Sequence, residues 1–184
     1  MKKPKKKAEG KETDDFSIVG GRKLSGVIQT NTSKNGACGL FCASLLNKNI
    51  TVLHGIPRIE EIARIIEIFQ SIGIKVEWIE KNSVRITPPK KFLLNKMDKG
   101  SSGRIRSILM IIGSLIHFEN KFQIPHAGGC KMGQRTIAAH RYGLEALGVK
   151  IVTKESCYDI SYSKLKPADL VLYDASDTAT DTFL

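Results

Sequence analysis

Apolar positions in this chain come in short blocks whose period alternates between two and about 3.6, the signatures of strand and helix. Leu24–Thr30 (LSGVIQT) reads as a strand, and Asn35–Leu46 (NGACGLFCASLL) as a helix with small residues on one face. Ile50–His54 is a strand. Ile59–Ile72 is the clearest helix: Ile59, Ile62, Ile66 and Phe69 share one face, and Glu60 and Glu61 suit the positive end of the helix dipole. Lys75–Ile79 and Ser83–Thr87 form a strand pair around Lys81-Asn82, stopped by Pro88-Pro89. The pattern then starts again. Arg104–His117 reads as an apolar helix, Phe122–Pro125 as a strand, and Gln134–Leu147 as a helix closed by Gly148. Strands follow at Lys150–Thr153 and Tyr158–Ser161, then at Asp169–Tyr173, with a last helix opening at Ala175-Ser176-Asp177.

The two halves of this pattern are copies of one unit. Ile72-Gly73-Ile74-Lys75-Val76 aligns with Leu147-Gly148-Val149-Lys150-Ile151 at an offset of 75, and Ile50–His54 aligns with Phe122–His126 at an offset of 72. The unit is helix, strand, helix, strand, strand, so the fold class is α/β with an internal repeat. Copies cover about 34–88 and 100–163, and a third, 169–184, begins and is incomplete. Residues 1–14, MKKPKKKAEGKETD, have no apolar anchor and read as a basic disordered tail, and 15–33 as an N-terminal strand region.

Charge narrows the partners. The chain carries 29 Lys and Arg against 18 Asp and Glu, a net +11. Six of those Lys and four of the carboxylates lie in residues 1–15, so the remainder still carries +9 and favours anionic ligands. Nucleic acid is disfavoured, because no basic strand is interleaved with aromatics, and the tail reads as solubilising. No run of about eighteen apolar residues is present, so no membrane span is expected. Four Cys, of which Cys38 and Cys42 sit four apart in a helical pattern and the rest could pair only across wide gaps, and no paired His or Cys spacing point to a reduced, cytoplasmic chain with no metal and no cofactor.

Three loops carry candidate chemistry. Thr32-Ser33-Lys34-Asn35-Gly36 opens a helix, where free N–H groups attract anions, and Lys34 adds a point charge. Gly103-Arg104-Ile105-Arg106 sets two guanidinium groups before the most apolar helix, pointing to different faces. His126-Ala127-Gly128-Gly129-Cys130-Lys131-Met132-Gly133-Gln134-Arg135 packs three Gly around a thiol with cationic neighbours, a setting that favours thiolate or proton-donor chemistry. Cys38, Cys42 and His140 fall on core faces, Cys157 in a hairpin, and His54 and His126 at equivalent repeat positions with structural roles.

Together, Ser33-Lys34-Asn35, Arg106 and Gly128-Gly129-Cys130-x-x-Gly133-x-Arg135 resemble the enolpyruvyl transferases, over about Phe16 to the end. The resemblance is closest to the branch acting on UDP-N-acetylglucosamine. It implies an inside-out α/β barrel of repeated βαβαββ units, with residues 34–184 forming one incomplete domain. It implies transfer of the enolpyruvyl group from phosphoenolpyruvate to the sugar 3-hydroxyl in peptidoglycan synthesis, with help from a missing C-terminal half. By the same resemblance Lys34 holds the phosphoenolpyruvate anions, and Asn35 and Ser176 contact the sugar nucleotide. Arg106 and Arg135 balance substrate charge. Cys130 gives a proton to the enolpyruvyl methylene, from a loop that acts as a lid. Two segments depart from the family pattern. Thr136-Ile137-Ala138-Ala139 lacks the usual carboxylate, and Asp174 and Asp177 flank Ser176 where a diphosphate would lie. These departures favour an alternative, a non-enzymatic anion- or nucleotide-binding module on the same fold.

Overall fold

The computed structural model describes residues 17–128 and 136–184. It separates into residues 1–30 and residues 31–184. In the first unit residues 17–30 hold neither helix nor strand, and Val27 and Ile28 are exposed. The strand expected over Leu24–Thr30 is therefore not formed. An extended segment becomes a strand only by pairing, and neither sheet of the chain includes it.

In the second unit Ser33 caps the first helix, α1 (Lys34–Ser44), its Oγ accepting from Gly36 N at 3.1 Å. Strand β1 (Thr51–His54), helix α2 (Glu60–Ser71) and strands β2 (Lys75–Glu80) and β3 (Ser83–Thr87) follow. The second copy runs α3 (Lys99–Ser102), a 3₁₀ turn (Ser107–Met110), α4 (Ile111–Leu115), β4 (Lys121–Pro125), α5 (Ala138–Ala146), β5 (Lys150–Thr153) and β6 (Cys157–Ser161). Helix α6 (Asp177–Phe183) starts the third, capped by Ser176.

Both sheets have the same topology. β3 sits between β1 and β2, and β6 between β4 and β5, all antiparallel to their neighbours. Equivalent glycines, Gly73 and Gly148, end α2 and α5 with φ of 95° and 92°, a left-handed conformation that costs other residues more. The backbone repeats further on as well: Leu93 N donates to Ile72 O at 2.9 Å, and Lys166 N to Leu147 O at 3.0 Å. Equivalent histidines tie each first strand to its central one. His54 Nδ1 lies 2.9 Å from Ser83 Oγ, and His126 Nε2 lies 3.2 Å from the Cys157 carbonyl.

Helices α1, α4 and α6 pack on one another, and the core gathers Phe41, Ile62, Phe69, Leu109, Leu115, Ile124 and Ile160. The ring of Phe41 meets Phe69 of α2 edge-on at 5.7 Å. Helices inside and sheets outside make this the inside-out α/β arrangement that the resemblance implies. The inner helices approach closely. A Cβ on Gly113 of α4 would lie 2.2 Å from Thr182 O of α6, and Ser114 Oγ donates to Cys42 O of α1 at 2.6 Å. Gly113→Ala must push the two backbones apart. We expect it to lower stability by about 1–3 kcal/mol in urea unfolding, with α6 released first.

Two further expectations are corrected. The helix over Arg104–His117 begins only at Ser107, as a 3₁₀ turn, and turns α-helical over Ile111–Leu115. Ile105 O, which would accept from Leu109 N in a continuous α-helix, accepts instead from Gly128 N at 3.2 Å, and Leu109 N turns to Arg106 O at 3.1 Å. The strand expected over Asp169–Tyr173 is absent, and Val171 is exposed. Like 24–30, that stretch has apolar alternation and no strand to pair with.

Candidate functional site

The starts of the inner helices converge, and side chains link them. Lys34, the first residue of α1, places Nζ 2.6 Å from Glu61 Oε2 at the start of α2. The other oxygen, Glu61 Oε1, accepts from Ser107 Oγ at 2.7 Å. One carboxylate thus joins the beginnings of α1, α2 and the 3₁₀ turn. Asn35 Nδ2 donates to Asp177 Oδ2 at 3.1 Å, tying α1 to α6 beside Ser176. Ser176 Oγ is used as a cap, accepting from Ala179 N at 3.3 Å.

Arg106 precedes Ser107 and donates from Nη2 to Thr136 O at 2.6 Å. Arg104 turns elsewhere, 3.9 Å from Glu60 Oε1. Gly128 rests on the same stretch: a Cβ there would fall 1.6 Å from Gly103 O, so only glycine fits. The described ends of the glycine-rich loop, Gly128 and Thr136, are therefore both fastened to residues 102–106. Cys130 and Arg135 lie outside the described residues. So the structure brings Lys34, Asn35, Arg106 and Ser176 to one end of the inner helices, with Gly128 and Thr136 fastened beside them.

Beneath this end the environment becomes dry. Burial, helped by the Glu61 carboxylate, pushes the Cys38 thiol up to about 11, against the pull of Lys34 and a hydrogen bond shared with Ser107. Burial raises the Cys42 thiol as well. Neither is a nucleophile at neutral pH, in keeping with their core positions. His140, 1% exposed, bridges α5 to α6. Thr182 Oγ1 donates to Thr178 O at 2.7 Å, so it accepts from His140 Nδ1 at 3.1 Å, and Nε2 faces Thr178 Oγ1 at 3.5 Å. Burial, then the charge of Arg106, pushes its pKa down to about 4, so the ring is neutral.

From Thr136 an open groove of about 520 Å³ runs along α5 past Ala138, Arg141 and Tyr142 to Tyr158 and Tyr173. The Tyr142 and Tyr173 rings meet edge-on at 5.7 Å. Its size suits a small organic ligand. Among the described residues no three His, Cys, Asp or Glu side chains stand together as a metal-ligand set. Nor is any described helix long and apolar enough to cross a membrane.

Glu61, Ser107, Thr178 and the Thr136 carbonyl escape sequence reasoning. Glu61 carries the usual first-turn signal of an acid on a helix dipole, and nothing local shows that it reaches Lys34.

The family model described as EPSP synthase (3-phosphoshikimate 1-carboxyvinyltransferase) matches residues 18–184. A UDP-N-acetylglucosamine 1-carboxyvinyltransferase of Bradyrhizobium diazoefficiens is 31% identical over 169 residues, 92% of this chain and 39% of that protein. UDP-N-acetylglucosamine 1-carboxyvinyltransferase 2 of Listeria monocytogenes is 32% identical over 168 residues, 91% of this chain and 39% of its own length. Among solved structures, the enolpyruvyl transferase NikO from Streptomyces tendae superposes with a TM-score of 0.63 at 19% identity, over 80% of this chain and 32% of that one. EPSP synthase from Acinetobacter baumannii gives 0.60 at 15% identity, over 83% and 35%. The chain spans about two fifths of the length of the curated relatives it matches.

Proposed function

Since the chain belongs to the EPSP synthase (3-phosphoshikimate 1-carboxyvinyltransferase) family, we propose that it supplies the phosphoenolpyruvate-binding part of an enolpyruvyl transferase whose acceptor is UDP-N-acetylglucosamine. The reaction is a step of peptidoglycan synthesis in the cytoplasm, and it needs groups supplied by the remaining C-terminal part of such a protein. The observation that carries the reading is the convergence of Lys34, Asn35 and Arg106 on the helix starts, beside the anchored ends of the Cys130 loop.

In the proposed chemistry the Cys130 thiol gives its proton to the methylene carbon of phosphoenolpyruvate. The adjacent carbon becomes cationic and takes the sugar 3-hydroxyl oxygen, whose proton goes to a base from the missing part. Loss of a methyl proton and of phosphate then restores the double bond and leaves the enolpyruvyl ether. Lys34 and Arg106 oppose the phosphate and carboxylate charges, and Arg135 does so beside the nucleotide, an arrangement suited to charge that changes during reaction. Asn35 and Ser176 contact the sugar nucleotide. Glu61 keeps Lys34 extended toward the helix start until the substrate anion competes for it.

A second reading, a non-enzymatic anion- or nucleotide-binding module, draws on one observation: the Asn35 amide is engaged by Asp177, so a carboxylate sits beside the sugar-nucleotide contacts. Calorimetric titration with phosphoenolpyruvate tests what the readings share. Lys34→Ala should weaken binding by about tenfold or more, the worth of one charge-assisted contact. Equal affinity in the two proteins would remove Lys34 from the site.

A further inference from the structure

The groove along α5 holds polar groups that the fold itself does not use. Tyr158 of β6 lines it and is only 9% exposed, and its hydroxyl makes no hydrogen bond to any described residue. Buried hydroxyls nearly always have a partner, so this one points to a ligand. Burial raises the Tyr158 phenol, against the opposing charges of Arg141 and Arg106, so the hydroxyl stays protonated and donates at neutral pH.

Arg141 is the second such group. Its Nη2 donates to Thr153 Oγ1 at 2.6 Å, which fixes the guanidinium between α5 and β5. Its Nε is buried and has no hydrogen-bond partner. Arg141 and Glu145 stand one turn apart on α5 and both line the groove, yet no ion pair among the described residues includes either. A cation is thus held in place by a neutral hydroxyl and paired with no carboxylate, next to a phenol that donates.

Aromatic rings line the same groove. Tyr142 is 47% exposed and Tyr173 66%, although their rings meet. Such rings offer flat apolar area against which another ring can pack. The polar groups also select the anion. A phenol and a guanidinium match the two oxygens of a carboxylate. A phosphate dianion carries more charge and would face Glu145 in the same groove.

We propose that this groove binds a planar aromatic ligand bearing one carboxylate, with its oxygens on Arg141 and the Tyr158 hydroxyl and its ring against Tyr142 and Tyr173. The site stands apart from the transfer chemistry, and Lys34 takes no part in it.

The test titrates the whole chain with benzoate, 2-naphthoate and indole-3-carboxylate, and with the neutral amide of each, read by protein NMR shifts and calorimetry. The expected result is saturable binding of at least one carboxylate at about 1 mM or tighter. Its amide should bind about tenfold or more weakly, and Tyr158→Phe and Arg141→Gln should each weaken the carboxylate by about fivefold or more. Tyr158→Phe removes a single oxygen, so it serves even where Arg141→Gln does not fold. Cys38 and Cys42, shielded from a maleimide, report an intact fold in each variant. Lys34→Ala should leave the affinity unchanged. Absence of saturation by all three carboxylates overturns the proposal, as does equal affinity for acid and amide or for wild type and Tyr158→Phe. Binding lost in Lys34→Ala overturns it too, because the probe would then occupy the phosphoenolpyruvate end. Loss of phosphoenolpyruvate binding alone in Lys34→Ala leaves this site standing.

Discussion

Acidification from pH 6.5 to 4 removes about 3 kcal/mol of stability through His140 alone. The unfolded imidazole titrates near 6.5 and the folded one near 4, so the unfolded chain binds the proton first. The stabilisation is complete above pH 6.5 and is lost as pH falls toward the folded value. The cause is specific. Protonation puts a cation in a dry seam, near the Arg106 charge, and forces Nε2 to donate where it now faces Thr178 Oγ1 as an acceptor. Because His140 is the polar link between α5 and α6, the loss should appear first as release of α6. Urea unfolding at several pH values reads it. His140→Asn keeps a donor near the Nδ1 position and cannot ionise, so its stability should be lower at pH 7 and flat between 6.5 and 4, apart from the titration of other groups. An equally steep fall in that variant would move the effect to other groups.

Cys130→Ser, in the chain joined to the remainder of a relative, should lower turnover by about a hundredfold to ten-thousandfold, the range for a general acid. A serine hydroxyl is a far weaker acid than a thiol, and Cys130 has cationic neighbours in sequence, Lys131 next to it and Arg135 five positions on. Phosphoenolpyruvate affinity should change little, because the proposed site assigns the anion to Lys34 and Arg106. The comparison of kcat with binding separates the two roles: unchanged turnover removes the thiol from the chemistry, and lost binding with unchanged kcat makes it a contact.

Much of this architecture is written in local pattern. The face shared by Ile59, Ile62, Ile66 and Phe69 marks α2 to within a residue at each end, and the two copies of the apolar-Gly-apolar-Lys-apolar run correspond to two glycines with positive φ. What local pattern lacks is the partner. Leu24–Thr30 and Asp169–Tyr173 alternate as strands do and remain unpaired, since a strand exists only with a neighbour. The apolar run from Ile105 to Ile116 suggests one long helix, yet the backbone of Gly128, beyond β4, takes the Ile105 carbonyl at its start. At the site, the charge-bearing residues stand out by type and spacing. That Glu61 and Asp177 hold two of them does not, because Lys34–Glu61 and Asn35–Asp177 are separated by 27 and 142 positions.

The most direct test of the central claim is phosphate release from phosphoenolpyruvate by this chain fused to the C-terminal remainder of the Bradyrhizobium relative. The account predicts release only when UDP-N-acetylglucosamine is present, one phosphate for each phosphoenolpyruvate consumed, and its loss in Lys34→Ala. A folded fusion, with Cys38 and Cys42 shielded, that binds phosphoenolpyruvate and releases none would contradict the account and leave a binding module on a transferase fold.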